Sequence, residues 1–217
     1  MTLGRALTLL AVAYLLGSIP WSFLIVKLTR GLDVRTVGSG NVGATNVMRT
    51  AGKKAGLFAL ILDLAKGVAA VLVSRRVGAP PEVVACSGVA VVLGHIFPVF
   101  LRFRGGKGVA TAAGALGALE PRVLLASLVL FAVVVAWKRY VSLGSIVVAA
   151  AFPLLLWIAQ RFEWEERDPW QLLGSSAIGL IVIARHRSNI ERLWHGTERR
   201  LGEPRPDSAR PAGEAGL

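Results

Sequence analysis

A chain of 217 residues that is 54% hydrophobic and 18% charged, with a mean hydropathy of +0.59, is too apolar for an ordinary soluble domain, where about 25% of residues are charged. Its apolar residues form continuous runs, not the alternating segments of roughly ten residues that mark a membrane β-barrel. An all-α integral membrane protein remains, because helices satisfy their own backbone hydrogen bonds in lipid.

The formal net charge is +12. In a soluble chain that would suggest nucleic acid, but here Lys and Arg gather in alternate loops. Membrane topology and anionic phosphate are the better readings, and no nucleic-acid partner is expected. The single cysteine, Cys86, allows no intrachain disulfide. It lies inside an apolar run without a zinc-type Cys/His pattern, and reads as a small core residue.

Seven transmembrane helices are expected, at about 3–28, 55–74, 82–101, 108–120, 122–137, 141–160 and 170–185. The first has a signal-like start, with Arg5 and an apolar run from Leu7 to Leu16. Its Ala11-Val12-Ala13 lies within that run, and apolar character continues past Pro20 to Val26, so it reads as an uncleaved span. The fourth and fifth are short for a bilayer that needs about 20 residues per helix. Pro121 suits the first turn of the fifth. If these two form a hairpin reaching only partway, five spans remain. Trp137, Tyr140, Trp164 and Trp170 read as interface anchors near span ends. Residues 1–200 form one membrane domain, and 201–217, rich in Pro, Gly, Ala and charge, read as a disordered cytoplasmic tail. No internal repeat is evident, which weakens an inverted-repeat transporter reading.

Orientation follows from basic residues. With the N-terminus outside, 18 Lys and Arg residues fall on the cytoplasmic side. Only Arg5, Arg75, Arg76, Arg122, Arg161 and Arg167 fall opposite, along with the acidic group Glu163, Glu165, Glu166 and Asp168. The C-terminus is then cytoplasmic.

Three polar segments end apolar runs on that same side. The first, G-S-G-N-V-G-A-T-N-V-M-R at 38–49, combines glycines (Gly38, Gly40, Gly43) with the neutral donors and acceptors Ser39, Asn41, Thr45 and Asn46. Arg49 adds a bidentate fork for phosphate. A polar loop capping the next helix is the plainer alternative. The second, F-R-G-G-K-G-V-A-T at 103–111, places Gly105, Gly106, Lys107 and Gly108 before an apolar helix. Helix-terminal amides and a lysine there can hold an anion. It lacks the spacing of a nucleotide P-loop, and a positive-inside loop is its plainer reading. The third, A-R-H-R-S-N-I-E-R-L at 184–193, carries His186, Asn189 and Glu191. On a continuing helix the first two share a face and Glu191 points elsewhere. Asp63 and Lys66, three residues apart within the second span, read as an internal ion pair or as support for the site, with His95 a further candidate. His195 reads as a surface residue.

Taken with Gly17-Ser18-Ile19-Pro20 and Leu62-Asp63-Leu64-Ala65-Lys66-Gly67, these motifs resemble the bacterial membrane acyl-phosphate:glycerol-3-phosphate acyltransferases, over about residues 14–198. Val42 stands where that family often has proline. The resemblance implies transfer of a fatty acyl group from acyl phosphate to the sn-1 hydroxyl of glycerol 3-phosphate. The products are lysophosphatidic acid and inorganic phosphate, and the step is the first acylation of phospholipid synthesis at the cytoplasmic (inner) membrane. It implies a catalytic set of Ser39, Arg49, Lys107, His186 and Asn189. Phosphate or substrate contacts would come from Gly40, Asn41, Gly43, Thr45, Asn46, Gly105, Gly106, Gly108 and Glu191, with Asp63, Lys66 and His95 behind them. Partners are the two substrates and membrane lipid. No metal, cofactor or obligate protein partner is expected.

The residues themselves are consistent with that chemistry. No Ser-His-Asp or Cys-His arrangement is legible, and acyl phosphate already carries a good leaving group. Direct attack by the substrate hydroxyl is therefore simplest, with the proton passing to His186 or to a substrate phosphate oxygen. The alternatives are a membrane anion or phosphate-ester transporter, and a lipid phosphotransferase. The first needs polar residues continuing across the spans. The second usually needs a carboxylate cluster for metal ions.

Overall fold

The computed structural model describes residues 1–203, and among these all regular structure is helical. The order is α1 (Leu3–Ser18), α2 (Trp21–Arg30), α3 (Ala44–Ala51), α4 (Lys53–Arg76), α5 (Pro81–Ile96), a 3-10 turn at Val99–Leu101, α6 (Val109–Leu119), α7 (Pro121–Lys138), α8 (Val141–Arg161), α9 (Pro169–Arg185) and α10 (Arg187–Trp194). Among the described residues, five segments are long and apolar enough to cross a membrane: Leu3–Arg30, Lys53–Arg76, Pro81–Leu101, Pro121–Lys138 and Val141–Arg161.

The expected spans thus fall on helices, with differences in detail. The fifth, α7, has full spanning length, whereas α6, at 11 residues, reaches roughly 16 Å at 1.5 Å per residue, about half a hydrocarbon core. The α6–α7 corner is turned by Pro121 at the first position of α7. The 17 residues of α9 reach roughly 26 Å. Its start is capped by Asp168, which accepts from the amides of Trp170 (2.8 Å) and Gln171 (3.3 Å).

The first span is not continuous. Pro20 has no amide hydrogen, and the helix stops at Ser18 and restarts at Trp21. Two carbonyls at this break, Gly17 and Ile19, accept hydrogen bonds from Lys66 Nζ at 2.9 and 3.0 Å. Lys66 in turn lies 2.9 Å from Asp63 Oδ1. The other Asp63 oxygen accepts from Ser22 at 3.3 Å, and His95 Nδ1 stands 3.4 Å from Oδ1. A charge inside a bundle is tolerated when paired and hydrogen-bonded. Here the pair joins α1, α2, α4 and α5 where the first span is interrupted. The internal ion pair expected from the sequence is present, and it repairs the backbone of the first span.

Close backbone approach is possible where the helices carry glycine. A Cβ on Gly67 would collide with the Thr111 carbonyl, one on Gly114 with that of Leu64, one on Gly17 with that of Val91, and one on Gly94 with that of Tyr14. These contacts join α4 to α6 and α1 to α5 by small-residue packing, as in other membrane helix pairs. The core between them holds Val91, Val92, Ile96, Ala115, Leu156 and Ile178, all buried. Outward faces, such as Leu125, Val129 and Val133 on α7, are exposed and apolar, as a lipid-facing surface requires.

Cys86 corrects an expectation. It is exposed on α5, between the buried Ala85 and Ser87, because the helical phase turns it outward. An apolar run does not distinguish a core face from a lipid face. At the C-terminal end, Leu201 donates its amide to the Arg139 carbonyl (2.6 Å), and Arg139 Nη2 donates back to the Leu201 carbonyl (2.8 Å). The stretch after α10 therefore lies across the α7–α8 turn. The remainder of the expected tail, 204–217, lies outside the described residues.

Candidate active site

The chain reaches the first polar segment through α2 and a loop. That segment is partly helical, since α3 starts directly after Gly43, which has no side chain to cap it. Asn46 sits in its first turns with only 1% of its surface exposed. Its Nδ2 donates to the carbonyls of Val34 and Val37 at 3.0 Å each, and its Oδ1 accepts from the Ser39 amide at 2.8 Å. The side chain is fully committed to shaping the loop, so its expected role in phosphate binding is corrected to a structural one. Gly38 (φ 66°) and Gly40 (φ 69°) take left-handed turns there. The Gly40 amide donates to the Val37 carbonyl and the Gly43 amide to that of Asn41. Asn41 is half-buried, while Ser39, Thr45 and Arg49 remain exposed, with Thr45 and Arg49 one turn apart on the same face of α3.

The second segment begins where α5 ends at Ile96. The expected run to 101 is interrupted by Pro98, and the chain folds back. The amides of Gly105 and Gly106 donate to the carbonyls of Ile96 (3.1 Å) and His95 (3.3 Å). A Cβ on Gly106 would strike the Val42 carbonyl and His95 Nε2, and one on Gly105 the His95 carbonyl. These two glycines dock the loop against the end of α5 and against the first polar segment. Their amides are not directed to an anion, which corrects that part of the expectation. Gly108 (φ 84°) is the left-handed residue that starts α6. Lys107 is presented between these anchors, half-buried.

The third segment breaks between α9 and α10 at His186, so the two helices are not continuous as expected. Even so, His186 and Asn189 both turn inward, with 2% and 4% exposure. Glu191 lies on the outer face, 3.1 Å from Arg187 Nε, and is not brought to the site. His195 is exposed, as expected.

The three segments meet at Lys107. Its Nζ donates to Asn189 Oδ1. Burial draws the Lys107 ammonium down from 10.5 to about 8, an effect Glu198 opposes and the nearby positive charges of Arg192, Arg49 and Arg185 reinforce. Cations from all three segments therefore act on one spot. Burial also lowers His186, against the hydrogen bond between its Nδ1 and the Val182 carbonyl, with further repulsion from Lys107. A carbonyl only accepts, so Nδ1 carries the hydrogen and Nε2 of the neutral ring is left as an acceptor. The Asp63–Lys66–His95 group adjoins this site through His95, whose Nε2 borders Gly106.

Arg185, Arg192, Ser142 and Glu198 also belong to the site and were not picked out from the sequence. Glu198 Oε1 accepts from Ser142 Oγ (2.6 Å) and Asn189 Nδ2 (2.7 Å), and its Oε2 from Arg192 Nε (2.7 Å). Burial raises Glu198, but these three donors outweigh it and hold the carboxyl below its ordinary value. The available signal was a half-isolated acid in a strongly basic stretch. Without the helix break at His186 it could not be placed.

A cluster of cations beside a buried neutral histidine and an asparagine can hold phosphate groups, orient a hydroxyl and stabilise negative charge developing on an acyl oxygen. Comparison with known proteins identifies the family. The family model described as glycerol-3-phosphate acyltransferase matches residues 7–196. A glycerol-3-phosphate acyltransferase of Geobacter sulfurreducens is 47% identical over 195 residues, covering 90% of this chain and 97% of the relative. One from Aquifex aeolicus is 46% identical over 199 residues, 91% of this chain and all of the relative. Among solved structures, PlsY (YgiH), an integral membrane glycerol 3-phosphate acyltransferase in its glycerol 3-phosphate form, matches with a TM-score of 0.84 at 45% identity, covering 91% of this chain and 96% of that one. A lysophosphatidic acid form matches at 0.83 and 44%. With the motifs, the helical membrane fold and these matches in agreement, the chain belongs to the glycerol-3-phosphate acyltransferase family.

Proposed function

We propose that this acyltransferase takes its acyl group from acyl phosphate and delivers it to the sn-1 hydroxyl of glycerol 3-phosphate, at the cytoplasmic face of a bacterial inner membrane. The observation that carries this reading is the meeting of Arg49, Lys107, Arg185 and Arg192 around the buried His186 and Asn189. Two phosphate-bearing substrates need several cations, and an activated acyl donor needs no enzyme nucleophile. The relatives solved with glycerol 3-phosphate and with lysophosphatidic acid support the acceptor and the product.

In this reading Arg49 and Lys107 hold phosphate, Ser39 and Thr45 add neutral hydrogen bonds, and His186 Nε2 accepts from the glycerol hydroxyl and orients it. The hydroxyl oxygen attacks the acyl carbonyl carbon and forms the ester C–O bond. The bond from that carbon to the phosphate oxygen breaks, and the electron pair leaves with phosphate. The hydroxyl proton goes to the departing phosphate, since burial has made His186 a weaker base. Developing charge on the carbonyl oxygen is stabilised by the cations, the largest contribution expected of such a site.

The test is product analysis of the purified chain with glycerol 3-phosphate and each of acyl phosphate, acyl-CoA and acyl carrier protein thioester. Lysophosphatidic acid and phosphate should form in equal amounts from acyl phosphate alone. Faster transfer from either thioester would overturn the donor assignment. Chelators should leave the rate unchanged, and no acylated enzyme should accumulate. A competent acyl adduct on Ser39 or Thr45 would refute direct transfer.

A further inference from the structure

Glu198 is an acid within a site built to hold anions, and the reaction just described gives it no role. Its side chain is only 10% exposed, and Ser142, Asn189 and Arg192 all donate to its carboxylate. This has a consequence for Asn189. An asparagine amide can face either way, but an ionised carboxylate only accepts. Glu198 therefore draws Nδ2 toward itself and turns Oδ1 toward Lys107, the orientation present here. With the amide reversed, two donors would face each other at Lys107.

The second consequence is electrostatic. The charged groups acting on Lys107 are Arg49 from α3, Arg185 from the end of α9, Arg192 from α10, and Glu198 from the segment that follows. His186, between α9 and α10, is pushed down by Lys107 and up by Glu198. Within this set Glu198 supplies the negative charge. It is held in place from two sides. Ser142 at the start of α8 grips the carboxylate, and Leu201 and Arg200 dock on Arg139 and Tyr140 at the α7–α8 turn.

We propose that Glu198 is a positioning residue for Lys107: its carboxylate fixes the Asn189 amide with the oxygen toward the lysine, and places a negative charge among the cations of the site until substrate phosphate arrives. The proposal rests on Lys107 being a phosphate-holding cation.

The test reads Lys107 directly. The lysines of the full chain in detergent are reductively methylated with 13C, and their resonances are followed against pH without substrate. Lys107→Arg identifies the Lys107 signal. It should titrate near 8 in the wild type. In Glu198→Gln it should move lower by about one pH unit, since a positive charge loses the counter-charge that acts on it. In Glu191→Gln, where the exposed acid faces Arg187, it should not move. If the Glu198→Gln signal stays in place, or climbs toward the ordinary lysine value because the site has opened, the proposal is overturned. Should that variant fail to fold, Arg192→Gln tests the same idea from the other side. Removing a repelling cation and leaving the Glu198 charge unshared must raise the Lys107 titration, and an unmoved signal would reject the proposal. Adding glycerol 3-phosphate to the wild type separates the underlying reading. No upward movement with ligand would sink the phosphate assignment of Lys107, while the ligand-free titrations still judge Glu198.

Discussion

Lys107 is where pH should act most strongly. Its folded value of about 8 lies below the ordinary 10.5, so between those values the folded chain binds fewer protons than the unfolded one. By linkage this group makes stability rise with pH across that window. Phosphate binding needs the charged lysine, so kcat/KM for glycerol 3-phosphate should fall as pH passes about 8, the free-enzyme value. The two trends have opposite sign. A decline in kcat/KM between pH 8 and 9.5, with no loss of Tm, is the expected result. A flat profile would mean that the Lys107 charge is not required. Arg49 gives a second test at this scale. A charge-assisted hydrogen bond is worth roughly 1.5–3 kcal/mol, so Arg49→Ala should lower kcat/KM about 10–150-fold with near-native Tm. Arg49→Lys should also lose activity, because a point charge does not reproduce the guanidinium fork. Near-wild-type kinetics in Arg49→Ala would remove it from the site. These residues were legible in the sequence because glycine, asparagine, arginine and lysine recur at the ends of apolar runs. Which atoms face substrate was not. Asn46 and the amides of Gly105 and Gly106 carry the expected chemistry, but the fold uses them to shape and dock the loops.

At the scale of elements, glycine serves two different tasks that one substitution series can separate. Gly67 and Gly114 let α4 and α6 touch backbone to backbone. Gly67→Ala or Gly114→Ala should cost about 1–3 kcal/mol as overpacking, read as a lower Tm in detergent, while the folded fraction retains its KM. Gly106 sits where the second segment meets His95 and Val42. Gly106→Ala should displace Lys107 and reduce kcat/KM far more than its change in Tm would explain. Equal effects on Tm and kcat/KM in all three variants would show that Gly106 is only another packing residue. The helices themselves were legible from the lengths of apolar runs, and Pro121 was legible as a helix start. The interruption at Pro20 was not, because the carbonyls it exposes are satisfied by Lys66, far away in sequence. The short α3 was hidden as well, since glycine and asparagine argue for loop and only the docking of Val47 and Asn46 makes it a helix.

For the whole molecule, the helix order fixes which loops share an end. The loop after α5, the α7–α8 turn and the α9–α10 break are joined by Lys107–Asn189, Ser142–Glu198 and Leu201–Arg139, and the loop after α2 meets the loop after α5 where Gly106 lies against the Val42 carbonyl. The opposite end is joined by Arg75 to the last carbonyls of α6 (2.7 and 3.1 Å) and by Arg122 to Trp164. The first end carries most of the basic residues and the second carries Glu163, Glu165 and Glu166. Since Lys and Arg are retained on the cytoplasmic side during insertion, the site end should face the cytoplasm with the N-terminus outside. Single cysteines test this in a Cys86→Ala background, needed because Cys86 is itself exposed. Thr36→Cys, Arg104→Cys and Ser188→Cys replace exposed residues of the site end, and Glu166→Cys one of the other. An impermeant maleimide added to intact spheroplasts should label only Glu166→Cys, and the other three should react only in inverted vesicles. Outside labelling of all three would reverse the orientation and leave the site whole. Labelling of one without the others would separate the polar segments across the bilayer, which a site meeting at Lys107 does not permit.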